Sequence, residues 1–358
     1  MSESAATLPR VVATATALPE HRIGPDETKA WISRLFGATH RDTRRIEQMV
    51  DHTGIESRYL VQPPERLASD RTLEEANGEY VRRVLELSTR AVEGCLEEAG
   101  IDPQQVDMVI PVSCTGYMIP SLDAHLINRF RMRSNVRRLP ITELGCGAGA
   151  AAMERAREYL VAFPDSLVLL VATEITSITF QPRDTSWANL VAAMLFGDGS
   201  AAALVTGRPL RPGPSILDTE SHFLHDTLHY MEFPLKDSGF HLIMSKEVPN
   251  TVRTAYRPAL VQFLARHDLI IDDLAFFVLH PGGDRILRNF EEYVGVPAEG
   301  LAPARAILRR VGNLSSASVL FVLDEIIRRC PPSTGQYGLM SSMGPGFCLE
   351  MLLLRWDD

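Results

Sequence analysis

Gly145-Cys146-Gly147-Ala148-Gly149-Ala150 opens a small-residue helix that runs to about Phe163 and leads into the apolar strand Leu167–Ala172; this stretch decides the fold. Small side chains at a helix start let the backbone lie close against a neighbouring element, and an apolar run bounded by turn residues reads as a buried strand. The strand Arg138–Thr142 precedes the segment, so the unit is strand, helix, strand. Upstream, Leu73–Ala99 carries Val84, Leu85, Leu87, Ala91, Val92 and Leu96 at near-helical spacing and stops at Gly100. Val106–Ser113 then reads as a buried strand closed by Cys114-Thr115-Gly116, and Ser121–Phe130 as a helix. Nearer the N-terminus lie a β-like run at Arg10–Ala17, a helical stretch over Asp26–Asp51 and a loop at Pro63-Pro64. Alternating strands and helices predict an α/β fold with a mainly parallel sheet.

The plan repeats. Glu98 to Asp102, strand Val106–Val112 and a polar turn at Cys114 match in pattern Arg266 to Asp273, strand Ala275–Leu279 and a polar turn at His280. Gly145-Cys146 opens a helix in the first half, and Gly312-Asn313 opens the helix Ser315–Arg329 in the second. Each half ends in a Gly-x-Gly turn and an apolar strand: Gly197-Asp198-Gly199 before Ser200–Thr206, and Gly344-Pro345-Gly346 before Phe347–Arg355. We expect two duplicated halves, residues 1–209 and 210–358, with the junction in Gly207–Pro214.

The chain has 358 residues, 45% of them hydrophobic and 23% charged, which fits a globular protein with a substantial core. A net charge of −9 argues against a nucleic-acid partner and favours a small molecule. The basic residues are nearly all arginine, which we read as coding bias. Five scattered cysteines without a CxxC pair exclude a disulfide framework and structural zinc as leading ideas, and no metal site is expected. Met1 to Pro9 shows no basic start followed by an apolar stretch, and no apolar run reaches about 18 residues. The expectation is a reduced, cytoplasmic protein without membrane insertion.

Cys146 is the candidate nucleophile. A cysteine in the first turn of a helix, between glycines, stands where backbone N–H groups and the helix dipole favour a thiolate and an oxyanion. His280 ends the strand Phe276–Leu279 at the sheet edge where α/β folds place ligands, and Asn313 begins the next helix, where its amide N–H can reach a carbonyl or enolate oxygen. Read singly, these residues are a tightly packed small residue, a surface histidine and an N-cap. Pseudo-twofold symmetry would bring them to one axis. The Gly145-x-Gly147-x-Gly149 spacing is not that of a dinucleotide loop.

Six segments taken in order resemble the type III polyketide synthases, the chalcone/stilbene synthase superfamily, in their bacterial form. They are Leu144 to Gly149, Glu174-Ile175-Thr176, Leu195-Phe196-Gly197-Asp198-Gly199, Leu279-His280-Pro281-Gly282-Gly283, Gly312 to Ala317 and Gly344-Pro345-Gly346, within residues 10 to 356. The resemblance implies a thiolase-like αβαβα layered fold of two duplicated halves with mixed, mainly parallel sheets, and a homodimer. It implies a decarboxylating, condensing acyltransferase that loads an acyl group from acyl-CoA onto Cys146 and extends it with malonyl-CoA, with no cofactor beyond the CoA thioesters. Cys146, His280 and Asn313 would be catalytic. The cavity would be formed by Phe196, Cys114, Glu174, Thr176, Thr179, Phe240, Leu242, Ser315, Met343, Gly344 and Pro345, and CoA would be held by Arg45, His52, Gly283 and Arg285.

Three departures bear on the substrate. A family phenylalanine gate aligns with Leu242, with Phe240 two residues earlier on the same strand face. The family's Gly-Phe-Gly-Pro-Gly loop reads Ser342-Met343-Gly344-Pro345-Gly346 here, and of the basic cluster for CoA only Arg45 is a firm cation. The smaller gate, together with Met343 in place of the aromatic, favours a fatty acyl starter and an alkylpyrone or resorcinol product. The alternatives are a polyketide synthase that uses malonyl-CoA alone and a single-condensation initiator like β-ketoacyl carrier-protein synthase III.

Overall fold

A computed structural model describes residues 8–36 and 43–358. Eight strands carry the fold: β1 Arg10–Ala17, β2 Met108–Val112, β3 Leu167–Glu174, β4 Gly199–Thr206, β5 Gly213–Phe223, β6 Leu274–Leu279, β7 Tyr337–Gly344 and β8 Cys348–Asp357. With the two-residue edge strand Arg137–Arg138 they form one sheet, in the order β6-β7-β8-β5-β1-β4-β3-β2-edge. The pairing repeats. In the first half β2 runs parallel to β3, β3 antiparallel to β4 and β4 antiparallel to β1. In the second, β6 runs parallel to β7, β7 antiparallel to β8 and β8 antiparallel to β5. The halves meet through one registered pair, Arg10 with Ser215 on the antiparallel strands β1 and β5. The sheet is therefore mixed: the parallel ladders join strands linked by crossover helices, and of the antiparallel ladders only β7 with β8 joins strands linked by a short turn.

Helix α1, Leu73–Ala99, lies across β1 and β4. Its start is fixed by a capping box between Thr72 and Glu75 and its end by Gly100 in the left-handed conformation. Alternation along the strands divides the core between two faces. Val109, Leu167, Leu169, Val171, Ala202 and Leu204 pack with α1, whereas Ile110, Val168, Leu170, Ala172, Ala201 and Ala203 face the interior layer. That layer holds α2, Ala148–Ala162, and α3, Ser318–Arg329, each touching strands of both halves. Outside the second half lies the helix Arg257–Ala265, burying Leu260, Phe263 and Leu264. Helix, sheet, paired helices, sheet and helix make the five αβαβα layers.

The central helices approach so closely because the first turn of α2 contains Gly149, where a Cβ would overlap the Ser316 carbonyl and lie 2.8 Å from Val319 Cγ1. Several expected boundaries move. The stretch over 26–51 contains two helices, Pro25–Phe36 and Thr43–His52, with 37–42 outside the described residues, as is most of the Met1–Pro9 segment. The strand expected at Arg138–Thr142 is the edge pair plus a lone bridge from Val112 to Ile141, because exposed arginines and Pro140 interrupt the ladder.

Candidate active site

Cys146 sits in a tight turn, Gly145–Gly147, that feeds α2. Gly145 has φ +51°, and a Cβ there would lie 2.7 Å from Pro345 Cδ. Gly344 in turn packs against the Leu144 carbonyl and Gly147. The turn bearing the thiol is thus clamped on the Gly344-Pro345-Gly346 turn of the other half, and both glycines are required by that approach.

The second half supplies what surrounds the thiol. Cys146 Sγ lies 3.5 Å from Ser315 Oγ as donor, and Ser315, with φ +50°, donates its N–H to Asn313 Oδ1 at 2.8 Å. Ser318 Oγ donates to the same oxygen at 3.3 Å, so the Asn313 amide is oriented with Nδ2 toward the Gly282 carbonyl, 3.4 Å away. His280 is 7% exposed, and its Nδ1 has no hydrogen-bond partner among the described residues. Burial pulls the His280 imidazole down to about 4 and pushes the Cys146 thiol up to about 11, with Glu174 pressing the thiol the same way and Ser315 opposing. Each group alone is held neutral, so a thiolate here needs a cation beside it.

Glu174, fully buried, accepts hydrogen bonds from the Cys114 N–H at 3.1 Å, Thr115 Oγ1 at 2.9 Å and Ser316 Oγ at 2.5 Å. Burial raises its carboxyl above the usual range against those bonds. Cys114 Sγ lies 3.4 Å from Glu174 Oε1 and 3.7 Å from Ser315 Oγ, and burial followed by the Glu174 charge holds this thiol protonated.

Cys146, Cys114 and Ser315 border a cavity of about 460 Å³. Of the residues expected there, Cys146, Cys114, Phe196, Thr176, Thr179, Phe240, Leu242, Ser315 and Pro345 line it. Phe240 and Leu242 do face the same space, although the strand is only Gly239–Phe240, and Phe240 stacks on Phe233 at 5.0 Å. Glu174, Asn313 and His280 stand behind the wall as buried polar groups. Met343 lies elsewhere: it is buried in β7 with Thr251 Oγ1 3.8 Å from its sulfur, because inward alternation along the strand points it into the core. Of the residues expected to hold CoA, Arg45 lies with its guanidinium 5.4 Å above the Trp187 ring, His52 is exposed at the end of its helix, Gly283 precedes the short helix Asp284–Asn289 and Arg285 is exposed on that helix. Sequence reasoning missed Arg58, Trp31, Ser177, Asn189 and Phe233, which also line the cavity. Ser177 directly follows Glu174-Ile175-Thr176, whereas Asn189 lies in the helix Trp187–Leu195, for which no element was expected.

The comparisons with known proteins agree with this geometry. Residues 1–209 match the family model for chalcone and stilbene synthases, N-terminal domain, and residues 216–356 the C-terminal domain. The chain belongs to this family, the type III polyketide synthases. It is 38% identical over 350 residues to 1,3,6,8-tetrahydroxynaphthalene synthase of Streptomyces peucetius subsp. caesius, covering 97% of this chain and 93% of the relative. It is 32% identical to the phloroglucinol synthase of Pseudomonas fluorescens, covering 94% and 96%. The crystal structure of 1,3,6,8-tetrahydroxynaphthalene synthase from Streptomyces coelicolor A3(2) superposes with a TM-score of 0.93 at 33% identity, over 98% of this chain and 99% of that one. As a type III polyketide synthase the protein is a decarboxylating, condensing acyltransferase-type enzyme with the thiolase-like fold. Among the described residues, no helix is long and apolar enough to cross a membrane.

Proposed function

We propose that this type III polyketide synthase both primes and extends its chain with malonyl-CoA, and closes the product to a polyhydroxylated aromatic ring without an alkyl tail. Beside Cys146 the wall is mixed, with Cys114, Thr176 and Thr179 among Trp31, Leu60, Phe180, Phe233 and Leu242, so apolar side chains shape the space and a few polar groups stand near the thiol. The observation that carries the reading is the likeness over nearly the whole chain to synthases named for small polyhydroxylated aromatics. The names of the relatives support it: a tetrahydroxynaphthalene and phloroglucinol have ring carbons countable in two-carbon units and no long substituent. The expectation of a fatty acyl starter rested on the side chains at Leu242 and Met343; Met343 lies in the core, and the relatives' products weigh toward the alternative.

In this reading, Cys146 Sγ attacks the thioester carbonyl of malonyl-CoA, the C–S bond breaks, and CoA leaves with the proton that His280 took from the thiol. A second malonyl-CoA loses carbon dioxide, and its electron pair becomes an enolate whose oxygen accepts hydrogen bonds from His280 and from Asn313 Nδ2. The enolate carbon attacks the acyl-Cys146 carbonyl, Cys146 leaves as thiolate, and the lengthened chain returns from CoA for the next cycle. Phe196 would separate the CoA entrance from the cavity, with Arg45, His52, Gly283 and Arg285 toward the CoA phosphates. No cofactor or metal enters the scheme; a homodimer in the cytoplasm is its expected setting.

Product masses decide the starter. Malonyl-CoA alone should yield the full product, and adding acyl-CoAs of increasing length should not replace it; products found only with a long acyl-CoA would overturn the reading. Leu242→Phe adds bulk to the wall and should shift the products to fewer extension units, checked by the same chromatography; an unchanged profile would remove Leu242 from the account of chain length. The proton path gives a second test. In His280→Ala the thiol loses the group that would take its proton, while burial still pushes it up. Alkylation of Cys146 by iodoacetamide should then rise steadily through pH 9 in the variant and reach its plateau at lower pH in the wild type. Identical profiles would show that His280 does not act on the thiol.

A further inference from the structure

Arg58 is the one strongly buried cation on the cavity wall. It is 2% exposed and lines the same space as Cys146 and Phe196. Nη1 donates to the Phe196 carbonyl at 2.7 Å and Nη2 to Thr28 Oγ1 at 3.1 Å, two of the five N–H donors of a guanidinium. Its aliphatic stem packs where a Cβ on Gly312 would lie, 3.0 Å from Arg58 Cγ, directly before Asn313. Among the described residues no carboxylate forms an ion pair with it. Asp198 acts on it through space only, since that carboxylate is occupied by the N–H groups of Val61 and Ser177 and by the hydroxyls of Ser177 and Thr176. Burial without a contacting partner lowers the Arg58 guanidinium to about 10, which leaves it charged at neutral pH.

A buried charge is normally paired, and an unpaired one is a cost that folding does not incur without compensation. Two neutral acceptors hold this guanidinium beside the gate without neutralising it. We propose that Arg58 is the recognition site for the free carboxylate of the malonyl group, selecting a carboxylate-bearing starter over neutral acyl groups of equal length. This rests on the malonyl-CoA starter argued above and adds the residue that would enforce it. The geometry suits the role: the guanidinium is fixed at Phe196, where the entrance meets the cavity, and a charge-assisted bond to a carboxylate would satisfy donors that the protein leaves free.

The test is transfer to Cys146 in a single turnover, followed by intact-protein mass, from malonyl-CoA, from its neutral terminal amide and from acetyl-CoA. The wild type should acylate with malonyl-CoA about tenfold or more in preference to the amide. Arg58→Lys should keep most of that preference, and Arg58→Gln should abolish it, with malonyl transfer falling by more than transfer of the amide or of acetyl. Equal transfer from the charged donor and its amide in the wild type overturns the proposal, and this comparison needs no variant to fold. An Arg58→Gln protein that slows all three donors equally would show a residue that only positions Phe196, again overturning it. The two readings fail separately: no product from malonyl-CoA alone refutes the starter even if the charge preference holds, and product formed without a charge preference refutes Arg58.

Discussion

Cys146→Ala should form no condensation product from malonyl-CoA, a loss of at least about 10³-fold, while circular dichroism and the unfolding midpoint stay close to wild type. The expectation comes from position. The thiol stands at the end of a turn clamped between halves, at the cavity, within reach of Ser315 and through it of Asn313. Of the other thiols, Cys95 and Cys348 are buried in the core, Cys330 is exposed on the surface, and Cys114, which also lines the cavity, lies outside the turn that feeds α2 and bonds to Glu174. Removing one sulfur leaves a small void, which costs little beside the chemistry lost. Retention of more than about a tenth of the activity would place the acyl chain on another group.

The second large effect is on stability. Gly149→Ala should destabilise the fold by about 3 kcal/mol, because the added methyl meets the Ser316 carbonyl and Val319 Cγ1, and neither the backbone turn nor the helix behind it can withdraw. The site should suffer with the fold, since Ser315 and Asn313 belong to the displaced turn. Gly78→Ala provides the contrast. Gly78 lies within α1 with nothing near its would-be Cβ, so alanine should be neutral or add about 0.5–1 kcal/mol of helix stability. Urea unfolding of the two variants beside the wild type checks both signs. A Gly149→Ala midpoint equal to wild type would mean that the helix crossing is looser than described.

The duplication was legible because each half writes the same strand, turn and helix starts in the same order. The repeated ladder, parallel then antiparallel then antiparallel, is its physical counterpart. β1 and α1 were readable to the residue, since a short run of β-branched and small residues and a helically spaced apolar stripe stopped by Gly100 leave little choice. What failed to show is what depends on contacts across the halves. Met343 was expected at the cavity from its place in a motif, but strand alternation turns it inward, and only Gly344 and Pro345 reach the Cys146 turn. Arg58 was passed over among many arginines read as coding bias. Nothing in its local sequence says that its neighbours will be Phe196 and Gly312, which lie far along the chain and arrive only when the halves pack.

Peptide mass analysis of the protein quenched during turnover with malonyl-CoA alone tests the central claim most directly. We expect the peptide carrying Cys146 to bear a ladder of acyl adducts spaced by one two-carbon unit, with carbon dioxide released in step and no adduct in Cys146→Ala. Product formed while the Cys146 peptide stays unmodified, or a ladder that starts only when a long acyl-CoA is supplied, would contradict it.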